Sequence, residues 1–326
     1  MSLSEFQLIA RYFTHQPVTR ADVALGIGDD AALLRVPVGQ CLAVSIDTLV
    51  EGVHFLPDIA AADLGYRALA VNLSDLAAMG AQPAWVTLAL TLPRVDETWL
   101  LQFSRGFFAL AQQHGVQLVG GNTTRGPLCI SAQVHGFVPE AQALRRSGAQ
   151  PGDLIFVTGT LGDAALGLQA ALHKIHLAPA LAQYAAQRWL RPAPRVAEGV
   201  ALREVASACI DISDGLLADL AHLCAASQVG ARLQVERVPV STLFQAAGQG
   251  DWNLPLCAGD DYELCFTAAP QQRARIADIF RTFACGATCV GVIEATLGVR
   301  CEMHDGRALV PAQSGYDHFR TLPSAP

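Results

Sequence analysis

Among its 326 residues the chain has a single lysine, Lys174. A phosphate loop of the Walker kind closes its glycine run with Lys and then Ser or Thr, because the ammonium group must reach the β and γ phosphates. The stretch VTGTLGDAALGL (157 to 168) passes from an apolar segment through glycines into a helical pattern, but it holds no lysine, so a P-loop is excluded. Its spacing also departs from the dinucleotide fingerprint, which leaves a structural turn as the reading. Charge of either sign is scarce: 16% of residues are charged against 52% hydrophobic, and the formal net charge is −7. A nucleic-acid partner needs a concentrated basic surface, so none is expected. No apolar run approaches the roughly 20 residues that cross a bilayer, and the first residues lack the basic start and apolar core of a signal peptide. A cytoplasmic protein without a membrane partner is expected. The nine cysteines form no CxxC pair and have no histidines at zinc spacing; they read as reduced, mostly buried thiols, Cys285 and Cys289 included. With no GxSxG elbow, no HExxH helix and no activated cysteine, covalent catalysis has little support.

What is present is a large apolar interior laid out as alternating elements. Strands are expected at 41–50, 84–92, 116–121 and 128–138, with helices at 61–79 and 96–114. The polar, turn-rich segment PEAQALRRSGAQPG (139 to 152) marks the expected domain boundary, giving domains 1–148 and 149–326. Beyond it a strand begins at DLIFVTG, helices run from Asp163 to about Ala206, and strands and helices alternate to the end. Both halves read as mixed α and β, an α+β protein of two domains.

Against this apolar background the carboxylates stand out. CIDISDGL (209 to 216) places Asp211, Ser213 and Asp214 within four positions at the end of an apolar strand, with Asp211 and Ser213 on one face. The next run, LLADLAHLCAA, carries Leu216, Leu217, Leu220, Leu223 and Cys224 on one helical stripe, so a helix cap explains one of the oxygens but not all three. GIGDDAALL (26 to 34) sets Asp29 and Asp30 in a glycine turn. SIDTLVEGVHF (45 to 55) alternates Ser45 and Asp47 onto one strand face, followed by Glu51 and His54. Asp75 lies in YRALAVNLSDLAAMG, a helix whose only steady polar edge is Arg67 with Ser74; the 100° periodicity turns Asp75 inward, one turn from Asn72. In GDDYELCF (259 to 266), Asp261 and Glu263 are expected to share a strand face. A buried carboxylate needs a cation against it. Separate arginines for Asp30, Asp47, Asp75, Asp211 and Asp214 are one solution; shared Mg²⁺ is the simpler one. GGNTTRGP (120 to 127) adds glycines that admit a ligand to the backbone, and Arg125, Arg145 and Arg146 offer phosphate forks.

The ordered set GIGDDAA, SIDTLVEGVHF, NLSDLAAMGA, GGNTTRGP, RSGAQPGD, DISDGL, GDDYELCF and GYDHF, from about Glu5 to Phe319, resembles the thiamine-monophosphate kinases. The resemblance implies ATP-dependent phosphorylation of thiamine monophosphate to thiamine diphosphate, aided by several Mg²⁺ ions. It also implies the fold of aminoimidazole ribonucleotide synthetase, in which the N-terminal domains of two subunits pair into a dimeric β-barrel. Carried over by motif, Asp30, Ser45, Asp47, Asp75, Asp211 and Asp214 match magnesium positions. Gly121, Asn122, Arg146 and Ser213 match positions around the nucleotide, and His54, Glu263 and Phe319 match positions that hold the thiamine phosphate. Asp47, Asp75 and Asp211 are the expected catalytic set. Asn122 stands where the family usually has a metal-binding Asp, so its amide oxygen is the donor there; Asp260 replaces a more usual Glu.

Overall fold

Apolar alternation and glycine-marked turns become, in the computed structural model, a chain whose described residues are 4–247, 251–311, 315–316 and 318–319. The first half forms α1 (Glu5–Ile9), a π-helical turn Ala10–Thr14, β1 (Val23–Leu25), β2 (Leu33–Leu34), β3 (Gln40–Val50), α2 (Ala61–Ala78), β4 (Gln82–Leu92), α3 (Glu97–His114), β5 (Gln117–Arg125) and β6 (Cys129–Pro139). There follow β7 (Leu154–Thr158), α4 (Asp163–Ala171), α5 (Pro179–Leu190), α6 (Val196–Ala201), β8 (Ala208–Asp211), α7 (Leu216–Ser227) and β9 (Gly230–Gln234). The remainder comprises α8 (Thr242–Ala247), α9 (Asn253–Cys257), β10 (Leu264–Ala268), α10 (Arg273–Phe280), β11 (Ala287–Glu294), β12 (Gly298–Glu302) and β13 (Ala308–Leu309). Asp317 of the GYDHF motif lies outside the described residues.

Two compact units result, Met1–Ala143 with Leu190–Glu204 and Leu144–Trp189 with Val205–Pro326. In this division α6 falls in the first unit although it follows the turn-rich segment. The turn-rich segment signals where the chain leaves a domain. It carries no sign that a later helix docks back, which depends on Gly199 letting α6 approach α2 so closely that a Cβ there would lie 2.0 Å from the Ala77 carbonyl oxygen.

In the first unit a four-stranded sheet has the order β3-β6-β4-β5, with β4 and β5 parallel and the other pairs antiparallel. Helix α2 lies against β3 and β6 and is covered elsewhere by α3 and α6. Arg67 and Ser74, the expected polar edge, are consequently buried, while Asp75 keeps partial exposure. Strand β5 also outruns its expected end at 121 and continues to Arg125, because the parallel ladder with β4 carries Asn122 to Arg125 as extended backbone. On the other face of β3, Leu42, Val44 and Ile46 stand 41%, 50% and 59% exposed.

The second unit is built on a seven-stranded sheet, β13-β12-β9-β11-β7-β10-β8, antiparallel except for β9 with β12. One core cluster gathers Ile155, Val157, Ile210, Leu216, Leu220 and Leu223, the predicted stripe of α7 among them. Stacked rings of Phe156, Phe266 and Phe280 run through another part of the unit. These contacts are apolar burial in the ordinary sense, roughly 1.5–3 kcal/mol for each large side chain.

The crossing of α2 and α3 sets a sharp test. A Cβ on Gly65 would sit 2.1 Å from the Phe103 carbonyl oxygen, and one on Gly106 would sit 1.8 Å from that of Ala62. In an exposed helix, Gly→Ala gains about 1 kcal/mol. Here Gly106→Ala is expected to cost about 2 kcal/mol or more, because two backbones must separate. Thermal melting checks this; an unchanged or raised Tm would show that the helices are not so close.

Candidate active site

In the first unit the fold joins two of the predicted acidic motifs through one helix turn. Alternation on β3 turns Ser45 and Asp47 toward α2, and Ser45 Oγ donates to Asp75 Oδ2 at 2.6 Å. Asn72, one turn before Asp75, accepts from the Asp47 backbone N–H at 2.9 Å and donates to the Ala68 carbonyl at 2.9 Å. His54 closes the turn after β3: its Nδ1 accepts from the Val50 N–H at 2.9 Å, which puts the neutral imidazole's proton on Nε2. Asp30, Gly121 and Asn122 meet elsewhere, around a cavity of about 470 Å³ whose other walls include Phe6, Ile9, Leu88 and Leu90. Gly121 has φ +155, and a Cβ there would lie 1.9 Å from the Leu88 carbonyl oxygen, so this strand position admits only glycine. Asp30 is exposed, and its N–H donates to Asp29 Oδ1 at 2.9 Å.

In the second unit β8 ends at Asp211, so Ser213 does not continue the strand face as expected. Residues 212 to 215 form a turn instead. Its amides explain the departure: the N–H groups of Ser213, Asp214 and Gly215 all donate to Asp219 Oδ2, each at 3.1 Å. Burial, with Asp211 and Asp214 nearby, pushes the Asp219 carboxyl up to about 8. Burial also raises Asp214, opposed by His222, His318 and Arg146. Asp211 is buried at the strand end.

GDDYELCF departs from expectation in the same way. Strand β10 begins only at Leu264; Asp260 and Tyr262 have positive φ, and the loop carries Asp261 and Glu263 into separate buried sites. Asp261 receives the Gly162 N–H on both oxygens, at 3.1 and 3.0 Å. The glycine-rich turn of residues 157 to 168 therefore binds a carboxylate of its own chain where a phosphate loop would bind a nucleotide, in keeping with a structural turn. Glu263 is 0% exposed; Thr158 Oγ1 donates to its Oε2 at 2.8 Å and Arg188 to its Oε1 at 2.9 Å. Asp163 accepts from Thr160 at 2.9 Å and Ser241 at 2.6 Å. Phe319 is 95% exposed and Arg146 is exposed.

The structure thus groups Ser45, Asp47 and Asp75, groups Asp30 with Gly121 and Asn122, and groups Asp211, Ser213 and Asp214. Among the described residues no three His, Cys, Asp or Glu side chains stand together closely enough to hold a metal ion. The donor chemistry nonetheless fits Mg²⁺: every candidate is a carboxylate, hydroxyl or amide oxygen, and β3 and α2 already bring two of them, Ser45 Oγ and Asp75 Oδ2, to one point. Asp219, Asp163 and Arg188 were missed by sequence reasoning. Asp219 did leave a signal, since position 219 falls beside Leu216 and Leu223 on the buried stripe. Arg188 left none.

Asp261 supplies a pH test. Burial, reinforced by Glu263 and Asp163 and opposed by Arg188, raises its carboxyl from 3.8 to about 8. A raised folded-state value means that the stabilising form is the protonated one: its contribution is complete below the unfolded value and is lost as pH rises through about 8. Asp261→Asn keeps an acceptor for Gly162 without the titration. From about pH 5 to about pH 9 the variant's Tm should climb relative to wild type by several degrees. A flat difference in melting temperature over that range would contradict the assignment.

Known proteins align with both units. Residues 28–138 match the family model for the AIR synthase related protein, N-terminal domain, and residues 150–304 match that for its C-terminal domain. Thiamine-monophosphate kinase of Escherichia coli (strain K12) is 50% identical over 324 residues, covering 98% of this chain and 100% of the relative. The crystal structure of thiamine-monophosphate kinase from Stenotrophomonas maltophilia K279a superposes with TM-score 0.84 at 47% identity, covering 89% of this chain and 93% of that one. A complex of AaThiL with AMPPCP and TMP superposes with TM-score 0.77 at 31% identity, covering 90% and 92%. The chain belongs to the thiamine-monophosphate kinase family.

Proposed function

We propose that this chain transfers the γ-phosphoryl group of ATP to thiamine monophosphate, giving thiamine diphosphate and ADP. The observation that carries the reading is end-to-end identity of 50% with a curated kinase of this activity, spanning every motif that holds a grouped oxygen donor above. The complex of AaThiL with AMPPCP and TMP supports both co-substrates.

The chemistry joins two anions, so the site must bring phosphates together without covalent help. Asp30, Ser45, Asp47, Asp75, Asn122, Asp211 and Asp214 would hold several Mg²⁺ ions. Bound there, Mg²⁺ would neutralise charge on the transferring phosphoryl group. Asn122 is a neutral donor in that set and binds a cation more weakly than Asp would. Asp47, Asp75 and Asp211 form the catalytic set through these ions. Gly121, Asn122, Arg146 and Ser213 would surround the nucleotide, with Arg146 supplying a guanidinium fork for phosphate. His54, with a donor on Nε2, and Phe319 would hold thiamine monophosphate. Glu263 is enclosed, so it would act from beneath the surface, through Thr158 and Arg188. The acceptor is a phosphate oxygen of low basicity, which makes a strong general base unnecessary and favours direct in-line transfer with no phosphoenzyme.

The first domain would carry nucleotide, metal and dimer contacts, and the second would carry nucleotide, metal and substrate positions of its own. The exposed Leu42, Val44 and Ile46 of β3 support a homodimer in which two such sheets close a β-barrel, since a monomer leaves this apolar row in water. No described helix is long and apolar enough to cross a membrane, and the reading is of a cytoplasmic enzyme.

The test is product formation. With ATP, Mg²⁺ and thiamine monophosphate, thiamine diphosphate should appear in step with ADP, and Asp75→Ala should lower kcat by about 1000-fold or more. ATP consumption that ignores thiamine monophosphate, or full activity in Asp75→Ala, would contradict the proposal.

A further inference from the structure

Asp219 accepts three consecutive amides through one oxygen, and the position of those amides decides what the contact does. A carboxylate that only capped α7 would take N–H groups of the helix's first turn, which begins at Leu216. Asp219 instead reaches back to Ser213, Asp214 and Gly215, which all precede the helix. The Asp219 backbone N–H meanwhile makes the ordinary helical bond to the Gly215 carbonyl at 3.0 Å.

The same turn is held from its other side. Asp260 N–H donates to the Ser213 carbonyl at 2.8 Å, and Tyr262 N–H to the Ile212 carbonyl at 2.9 Å. Gly259 presses so closely that a Cβ on it would lie 2.3 Å from the Ser213 oxygen. Gly215 makes the turn possible with φ +118, and a Cβ there would meet the Cys257 backbone at 2.7 Å. With carbonyls engaged on one side and amides on the other, the turn has only the side chains of Ser213 and Asp214, both partly exposed, left to offer a ligand. Asp219 itself is 3% exposed, too enclosed to touch one.

We propose that Asp219 is the positioning residue of this turn: by gathering three amides on one buried oxygen it fixes Ser213 and Asp214 in the geometry that receives the nucleotide and its cation. The role deepens the kinase reading and rests on it. Convergent amides of this sort make an anion nest, and here the chain fills the nest with its own carboxylate, so a bound phosphate is directed to the side chains rather than to the backbone.

The experiment compares full-length wild type with Asp219→Ala and Asp219→Asn. Three readouts are taken: amide exchange of residues 213–215, calorimetric affinity for AMPPCP with Mg²⁺, and kcat against KM for ATP. In Asp219→Ala, exchange of those amides should quicken about 100-fold while β10 stays protected, and affinity should fall about 10- to 100-fold. Measured at about pH 9, above the value of about 8 at which Asp219 gains its charge, Asp219→Asn, with a neutral acceptor of the same shape, should recover most of the affinity and still exchange faster than wild type. A folded Asp219→Ala protein with wild-type exchange, or with affinity within about threefold of wild type, would overturn the proposal. Should Asp219→Ala fail to fold, Asp219→Asn decides alone: exchange and affinity both equal to wild type would overturn it. If wild type makes no thiamine diphosphate the kinase reading falls, while exchange and AMPPCP binding still judge Asp219.

Discussion

Backbone amides presented to buried carboxylates are what the second unit depends on. Asp219 takes three of them from the turn after β8, and Asp261 takes the Gly162 amide at the start of α4. A buried carboxylate without donors would cost several kcal/mol, roughly. Glycine turns solve the problem, because successive N–H groups can converge where no side chain intervenes. Two apolar strands can then end in acidic loops without the sheet coming apart.

That device sorts the acids. Asp163, Asp219, Asp261 and Glu263 are consumed by the fold, each buried with named donors. Asp30, Asp47, Asp75 and Asp214 keep exposure, Asp47 within β3, Asp75 within α2, and Asp30 and Asp214 in turns between elements. The first unit works differently. There a hydroxyl and an amide side chain, Ser45 and Asn72, mediate between β3 and α2, so Asp75 is oriented by a neighbouring oxygen rather than neutralised by it.

Much of the fold was legible. The strands at β3, β4 and β6 and the helices α2, α3 and α7 follow from periodicity, and the Ser45, Asp47 and Asp75 grouping follows from two patterns facing each other. What failed has a common cause. Strand alternation predicts one face through Ser213 and through Asp261 to Glu263, but both stretches leave the strand where a carboxyl one helical turn further on or a positive φ claims the backbone. The buried Arg67 and Ser74 show the complementary limit, for a polar residue on a helix reads as solvent-facing until the elements that cover it are known.

The central claim is that these two classes of carboxylate do different work. A Mn²⁺ titration followed by electron paramagnetic resonance, run across single Asp→Asn variants at Asp30, Asp47, Asp75, Asp163, Asp211, Asp214 and Asp261, would test it most directly. Amides at Asp30, Asp47, Asp75, Asp211 or Asp214 should weaken Mn²⁺ binding about tenfold or more with little change in Tm, whereas amides at Asp163 and Asp261 should move Tm and leave binding intact. Loss of Mn²⁺ binding in Asp163→Asn or Asp261→Asn, with wild-type binding in Asp47→Asn and Asp75→Asn, would contradict the account.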